Sequence, residues 1–201
     1  MIRIFSEQRE LIQFARRFIG QRLDSLEKDV NHCLRYPYAP FPALLYCFST
    51  IDLLGALYSG NATKKAPTSK QSKEYMMKFM SYTAEQSDLL QQLFRHKIVH
   101  LAQPGTVVHD ERKNRYISWK YEHDNLGEHL KIKVLPEKAK YQVTSSMEIE
   151  WDHVFIVSIK QLVKDIRYSV EGPNGYLAEL ERKPEIQDRF EQAIKQIFFP
   201  Q

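Results

Sequence analysis

Leu93-Phe94-Arg95-His96-Lys97-Ile98-Val99-His100 puts two imidazoles, a guanidinium and an ammonium into about two helical turns. At i and i+4, His96 and His100 share one helix face and could hold a metal ion, with His109 as a distant third ligand. Lys97 follows His96 where a zinc protease carries Glu, and no further ligand is suitably spaced, so neither a metal nor another cofactor is expected. Arg95, His96 and Lys97 also fit as solvated cations near a helix C-terminus, which the helix dipole favours. Against that, Ile98, Val99 and Leu101 make an apolar neighbourhood in which a histidine is half buried. The remaining pattern is Arg95, four residues, then His100.

The rest of the sequence narrows the choices. A chain of 201 residues that is 43% hydrophobic and 12% aromatic can bury a sizeable core, which excludes a disordered or fibrous protein. A net charge of +4 permits anionic partners without requiring them. No G-x-G-x-x-G, G-x-x-x-x-G-K-[ST], G-x-S-x-G or H-E-x-x-H motif occurs, and Cys33 and Cys47 form no C-x-x-C pair. Met1 to Glu10 lacks the apolar stretch of a secretory signal, and a cytoplasmic protein is expected. Phe41 to Tyr58 contains Pro42, Ser49, Thr50 and Asp52 without flanking basic anchors, so it reads as a buried helix and no membrane partner is expected.

These residues need elements to position them. Leu11, Phe14, Ala15, Phe18, Ile19, Leu23, Leu26 and Val30 recur at helical spacing and predict a long first helix. Three prolines between Tyr36 and Pro42 make a rigid connector, and Ala43 to Tyr58 predicts a second helix, apolar nearly all round, ending at Gly60-Asn61. Asn61 to Lys73 reads as a mobile basic loop. Ser72 caps a predicted third helix running through Leu101 to the Pro104-Gly105 stop. Alternation then predicts strands at Tyr116–Tyr121 and Leu130–Val134, joined around Asp124-Asn125-Leu126-Gly127, with a third over Val143–Trp151. Helices are expected over Val154–Val170 and from Pro184 through Phe190 and Ile194.

Arg95 and His100 late in a bundle helix resemble the R-x4-H motif of the HEPN family, the higher eukaryote and prokaryote nucleotide-binding domains, many of them metal-independent ribonucleases. His96 occupies the polar slot after the Arg, and Leu44 to Gly60, with Ile51-Asp52 and Leu54-Gly55, looks like the helix preceding the motif helix in such domains. The resemblance covers about residues 5–105. It implies one HEPN-like domain over residues 1–201: a mainly α antiparallel helical bundle, its core at about 5–105 and 151–200, with a small antiparallel β insertion at about 106–150.

It also implies RNA as substrate, with the 2′-hydroxyl attacking the adjacent phosphorus to leave a 2′,3′-cyclic phosphate. His100 exchanges a proton near neutral pH and Arg95 forks two donors onto phosphate oxygens. The resemblance implies a homodimer with a shared cleft, and the spacing gives a reason for it: five residues at about 100° each set these side chains about 140° apart in one protomer. His96 and Lys97 are supporting donors. Asp52, the only charge in the second helix, is expected either to pair with a buried base or to orient Arg95 or His100. Arg35, Tyr36 and Tyr38 could bind RNA by phosphate contact and stacking, as could Trp119 and Tyr121 by stacking, although packing explains these aromatic residues too. The family analogy extends to a toxin or defence effector restrained by an antitoxin or other regulatory partner. The alternative is a non-catalytic module of the same fold that binds RNA, a nucleotide or a protein.

Overall fold

The computed structural model describes residues 4–101, 106–122 and 126–199, and of residues 99–101 and 126 the backbone alone. Helix α1 (Gln8–Cys33) buries Leu11, Ala15, Ile19, Leu23, Leu26 and Val30, a single stripe at three- and four-residue steps. Helix α2 (Pro40–Ser59) starts with Pro40 in its first turn and stops at Gly60, whose φ of 75° is the left-handed conformation that glycine adopts without strain. Its 20 residues have the length and mean hydropathy, 1.4, of a membrane span. They form the central helix of the fold, touching α1 on one side and α3, α6 and α8 on others.

The expected single third helix is three helical pieces and a wide turn. Helix α3 (Thr68–Phe79) begins inside the segment read as a basic loop, so Ser72 is a buried helical residue and not a cap. Ser81 then turns left-handed, with φ 58°, and Thr83 opens α4 (Ala84–Leu89) with a capping box. Gln86 N–H donates to Thr83 Oγ1 at 3.2 Å and Thr83 N–H donates to Gln86 Oε1 at 2.9 Å. A π-helical stretch, Leu90–Arg95, leads into α5 (His96–Leu101). The expected Pro104-Gly105 stop lies outside the described residues.

The region beyond is a sheet, not a small antiparallel insertion. Strands β1 (Val108–Asp110), β2 (Arg115–Glu122), β3 (Ile132–Thr144) and β4 (Met147–Ser158) lie in the order β1-β2-β4-β3. β2 runs parallel to β4, from Ile117 opposite His153 to Glu122 opposite Ser158, so β2 and β3 are not the hairpin partners expected. The proposed Asp124-Asn125 turn lies outside the described residues. β4 takes the central place and extends through Val154–Val157, which the sequence reading gave to a helix. Phe155, Ile156 and Val157 are all buried, and a strand covered on both faces shows a continuous apolar run without alternation. Helix α6 (Ile159–Glu171) therefore starts five residues later than expected, followed by α7 (Tyr176–Arg182) and α8 (Pro184–Phe198).

The described residues are 59% helical and 19% strand, a mixed α/β fold, which overturns the mainly α bundle with a small insertion. The physical reason is in the core. Ile117, Phe155 and Val157 belong to the same buried cluster as Leu23, Phe48 and Leu93, so the sheet is a layer against the helices.

Candidate functional site

The site sits where α2, α3 and the start of α5 meet. α2 and α3 approach closely because residue 55 is glycine: a Cβ there would lie 2.8 Å from the Gln71 carbonyl carbon and 2.9 Å from the Ser72 nitrogen. That approach brings the Ser72 hydroxyl onto Asp52 Oδ1, while Ser72 also reaches the Thr68 carbonyl. Asp52, half-buried on α2, is thereby fixed from one side.

Its other oxygen takes Arg95. Arg95 Nε and Nη2 donate to Asp52 Oδ2 at 3.1 and 3.0 Å, and the two side chains are only 14% and 18% exposed. Arg95 Nη1 turns away from the carboxylate and donates to Ser69 Oγ at 3.3 Å and to His96 Nδ1 at 3.4 Å. A guanidinium only donates, so His96 Nδ1 accepts in that contact, and its Nε2 faces Ser69 Oγ at 3.4 Å. One guanidinium edge is thus clamped and the other points at an imidazole and a hydroxyl.

The surroundings are basic. Lys97 is exposed beside His96, and Lys64 and Lys65 are exposed on the loop leading to α3. None of the three makes an ion pair among the described residues, whereas Lys73 is held by Asp88 at 2.6 Å and Lys70 lies 3.9 Å from Glu74. The arrangement can orient a phosphate-binding guanidinium and place an imidazole beside it.

Of the residues singled out from sequence, Asp52, Arg95 and His96 come together. Lys97 lies next to them without joining the network. His100 is in α5, one turn after His96, and its side chain lies outside the described residues. Arg35, Tyr36 and Tyr38 are exposed on the α1–α2 connector, with the tyrosine rings edge-on at 6.3 Å. Trp119 and Tyr121 stack on each other at 6.0 Å, and both meet Phe41 edge-on, so they are occupied in packing. His109 is on β1, stacked on Tyr116 at 4.4 Å.

Sequence reasoning missed Ser69, which it left in a loop, and gave Ser72 only a capping role. The available signal was their i, i+3 spacing, which places both on one face once residues 68–79 are helical. A second polar cluster was also missed. Tyr82 donates to Asp165 Oδ2 at 2.6 Å, Gln161 donates to Asp165 Oδ1 at 2.6 Å, and the Ser158 N–H donates to His129 Nδ1 at 3.0 Å. Burial pushes the Asp165 carboxyl up, but the hydrogen bonds from His129, Tyr82 and Gln161 outweigh it and hold the group below the usual carboxylate range. No short-range pattern joins residues so far apart in the chain.

Comparisons with protein-family models, curated proteins and solved structures find no match to this chain. The functional argument therefore rests on the site.

Proposed function

We propose that the protein is a metal-independent RNA endonuclease of the R-x4-H type, with Arg95 and His100 as its catalytic pair. The supporting observation is the Arg95 side chain, clamped along one edge by Asp52 and presenting Nη1 toward His96 and Ser69. A pre-oriented guanidinium stabilises charge that builds on phosphate oxygens without reorganising during reaction. His100 acts as the general acid or base and His96 as the neighbouring donor, with Asp52 positioning Arg95. Lys97, Lys64 and Lys65 attract the RNA backbone, and exposed Tyr36 and Tyr38, with Arg35, offer rings and charge to an unpaired strand. Two copies sharing the cleft bring together the diverging Arg95 and His100, in a cytoplasmic protein that an antitoxin or other partner can restrain. The HEPN resemblance enters through this motif.

A specific observation favours a second reading. Asp52 already occupies two of the Arg95 donors, as in a non-catalytic module that binds RNA, a nucleotide or a protein. Incubating the protein with labelled tRNA and mixed-sequence RNA in EDTA, and mapping product ends, separates the two. Cyclic-phosphate and 5′-hydroxyl ends support the nuclease. Salt-sensitive RNA binding without product supports the module, and neither binding nor cleavage defeats both RNA readings.

A further inference from the structure

The sheet outgrows the helices that cover it. β4 is paired with β2 only from His153 onward, so among the described residues Met147–Asp152 is bonded on one side alone, to the Ala139–Thr144 half of β3. The β2–β4 ladder stops visibly: the next N–H of β2, on Tyr116, goes to the Asp152 carboxylate at 3.0 Å and not to β4 backbone. Beyond that point β3 and β4 form a two-stranded ribbon of about six residues per strand, roughly 20 Å long.

The ribbon is two-faced. Ala139 sits opposite Trp151 and Tyr141 opposite Ile149, while Lys140 sits opposite Glu150 and Gln142 opposite Glu148. A bulge between Val134 and Ala139 shifts the phase of β3, so the apolar face of its first half, Ile132 and Val134, continues as Ala139 and Tyr141. This side overhangs the helical layer, leaving Tyr141 58% and Met147 52% exposed. The opposite side carries Glu148, Glu150 and Asp152 along β4.

The open edge of β4 borders a cleft of about 480 Å³, with Val107, His109 and Tyr116 on its far wall. We infer that this edge is a docking site for an extended peptide of a partner protein, one that alternates basic and apolar residues and adds as a strand beside Met147–Asp152. The protein already holds a strand of that chemistry, β3, on the other edge of β4. Lys138-Ala139-Lys140-Tyr141 of β3 sets its lysines against acids, Lys140 at 2.9 Å from Glu148 and Lys138 at 3.8 Å from Glu150, and its Ala and Tyr beside Trp151 and Ile149. The same acids, already in ion pairs with Lys138 and Lys140, and the same apolar side chains also border the open edge, which Lys138 lines as well. A second copy is disfavoured there: pairing β4 with its own copy, in the registers that keep apolar side chains on one face, sets acid against acid.

The test uses a synthetic peptide of residues 137–143 and an analogue with both lysines replaced by glutamate, titrated into the full chain. Binding is followed by Trp151 fluorescence in a Trp119→Phe variant and by amide hydrogen exchange. The basic peptide should slow exchange of those Met147–Asp152 amides that face away from β3. The acidic analogue should bind about tenfold more weakly, as expected when two or three exposed charge contacts are reversed. Glu148→Gln with Glu150→Gln should shrink that difference between peptides. Equal binding of the two peptides, protection elsewhere than this edge, or protection of these amides by self-association without peptide would each overturn the proposal.

Discussion

Removing both partners of the Asp52–Arg95 pair should cost about as much as removing either one alone. Each side chain is mostly buried and the pair is joined by two N–H···O contacts near 3 Å, so a single alanine leaves an uncompensated charge inside the α2–α3–α5 junction. Breaking a fully buried pair from one side costs about 3–5 kcal/mol, and the partial water access here brings that to about 2–3 kcal/mol for Asp52→Ala or Arg95→Ala. The double variant leaves no orphan charge and should cost about as much as one single change, giving a coupling energy of about 2 kcal/mol. Urea titrations followed by circular dichroism on the four proteins measure this directly, with unchanged slopes showing that the unfolded states are comparable. Single-variant losses that add to the double-variant loss within about 0.5 kcal/mol would refute the pair as an energetic unit.

Other consequences follow from the same contacts. Gly55→Ala should destabilise by about 1–3 kcal/mol, because its Cβ meets α3 backbone and not a flexible side chain, and the loss should appear as a lower urea midpoint. A midpoint equal to the parent's would contradict the close approach of α2 and α3. Asp165, held below the usual carboxylate range in the fold, contributes stability that is present above its unfolded value and lost as pH falls through its folded value. The parent should therefore be more stable than Asp165→Asn near pH 6, with the gap closing as the pH falls below the usual carboxylate range. A gap that stays constant across that range would show that Asp165 is not held by charge-dependent bonds. Thr83→Ala removes one half of the capping box and should cost about 1 kcal/mol by the same titration, and no measurable loss would discount the cap.

The helices with an apolar stripe were legible in sequence, α1 above all, because helical period and burial agree along 26 residues. The break between α3 and α4 was not, since Tyr75, Phe79, Leu89 and Leu93 stay apolar across it. What interrupts the helix is the Thr83–Gln86 box and the left-handed Ser81, both short polar signals inside an apolar pattern. The second half of β4 was hidden for the opposite reason: it is apolar on both faces and carries no alternation, whereas Met147–Trp151 falls inside the strand expected over Val143–Trp151. The parallel β2–β4 pairing depends on chain crossing and leaves no local mark. At the site, Asp52 was visible as the one charge in an apolar helix, and Arg95 as the start of a spaced motif. Their pairing, and the part of Ser69 and Ser72 in it, required the close approach that Gly55 permits.

The central claim is that Arg95, set by Asp52, acts on an RNA phosphate together with His100. The most direct measurement is the single-turnover cleavage rate of labelled RNA in EDTA by the parent, Arg95→Ala, His100→Ala and the Asp52→Ala/Arg95→Ala double variant, each checked for folding by circular dichroism. Both single changes and the double should slow the reaction by at least about 10²-fold, the scale of a lost general acid or a lost charge stabiliser, with the double variant still folded. Folded variants that cleave as fast as the parent would show that the reaction, if the protein performs one, is done elsewhere.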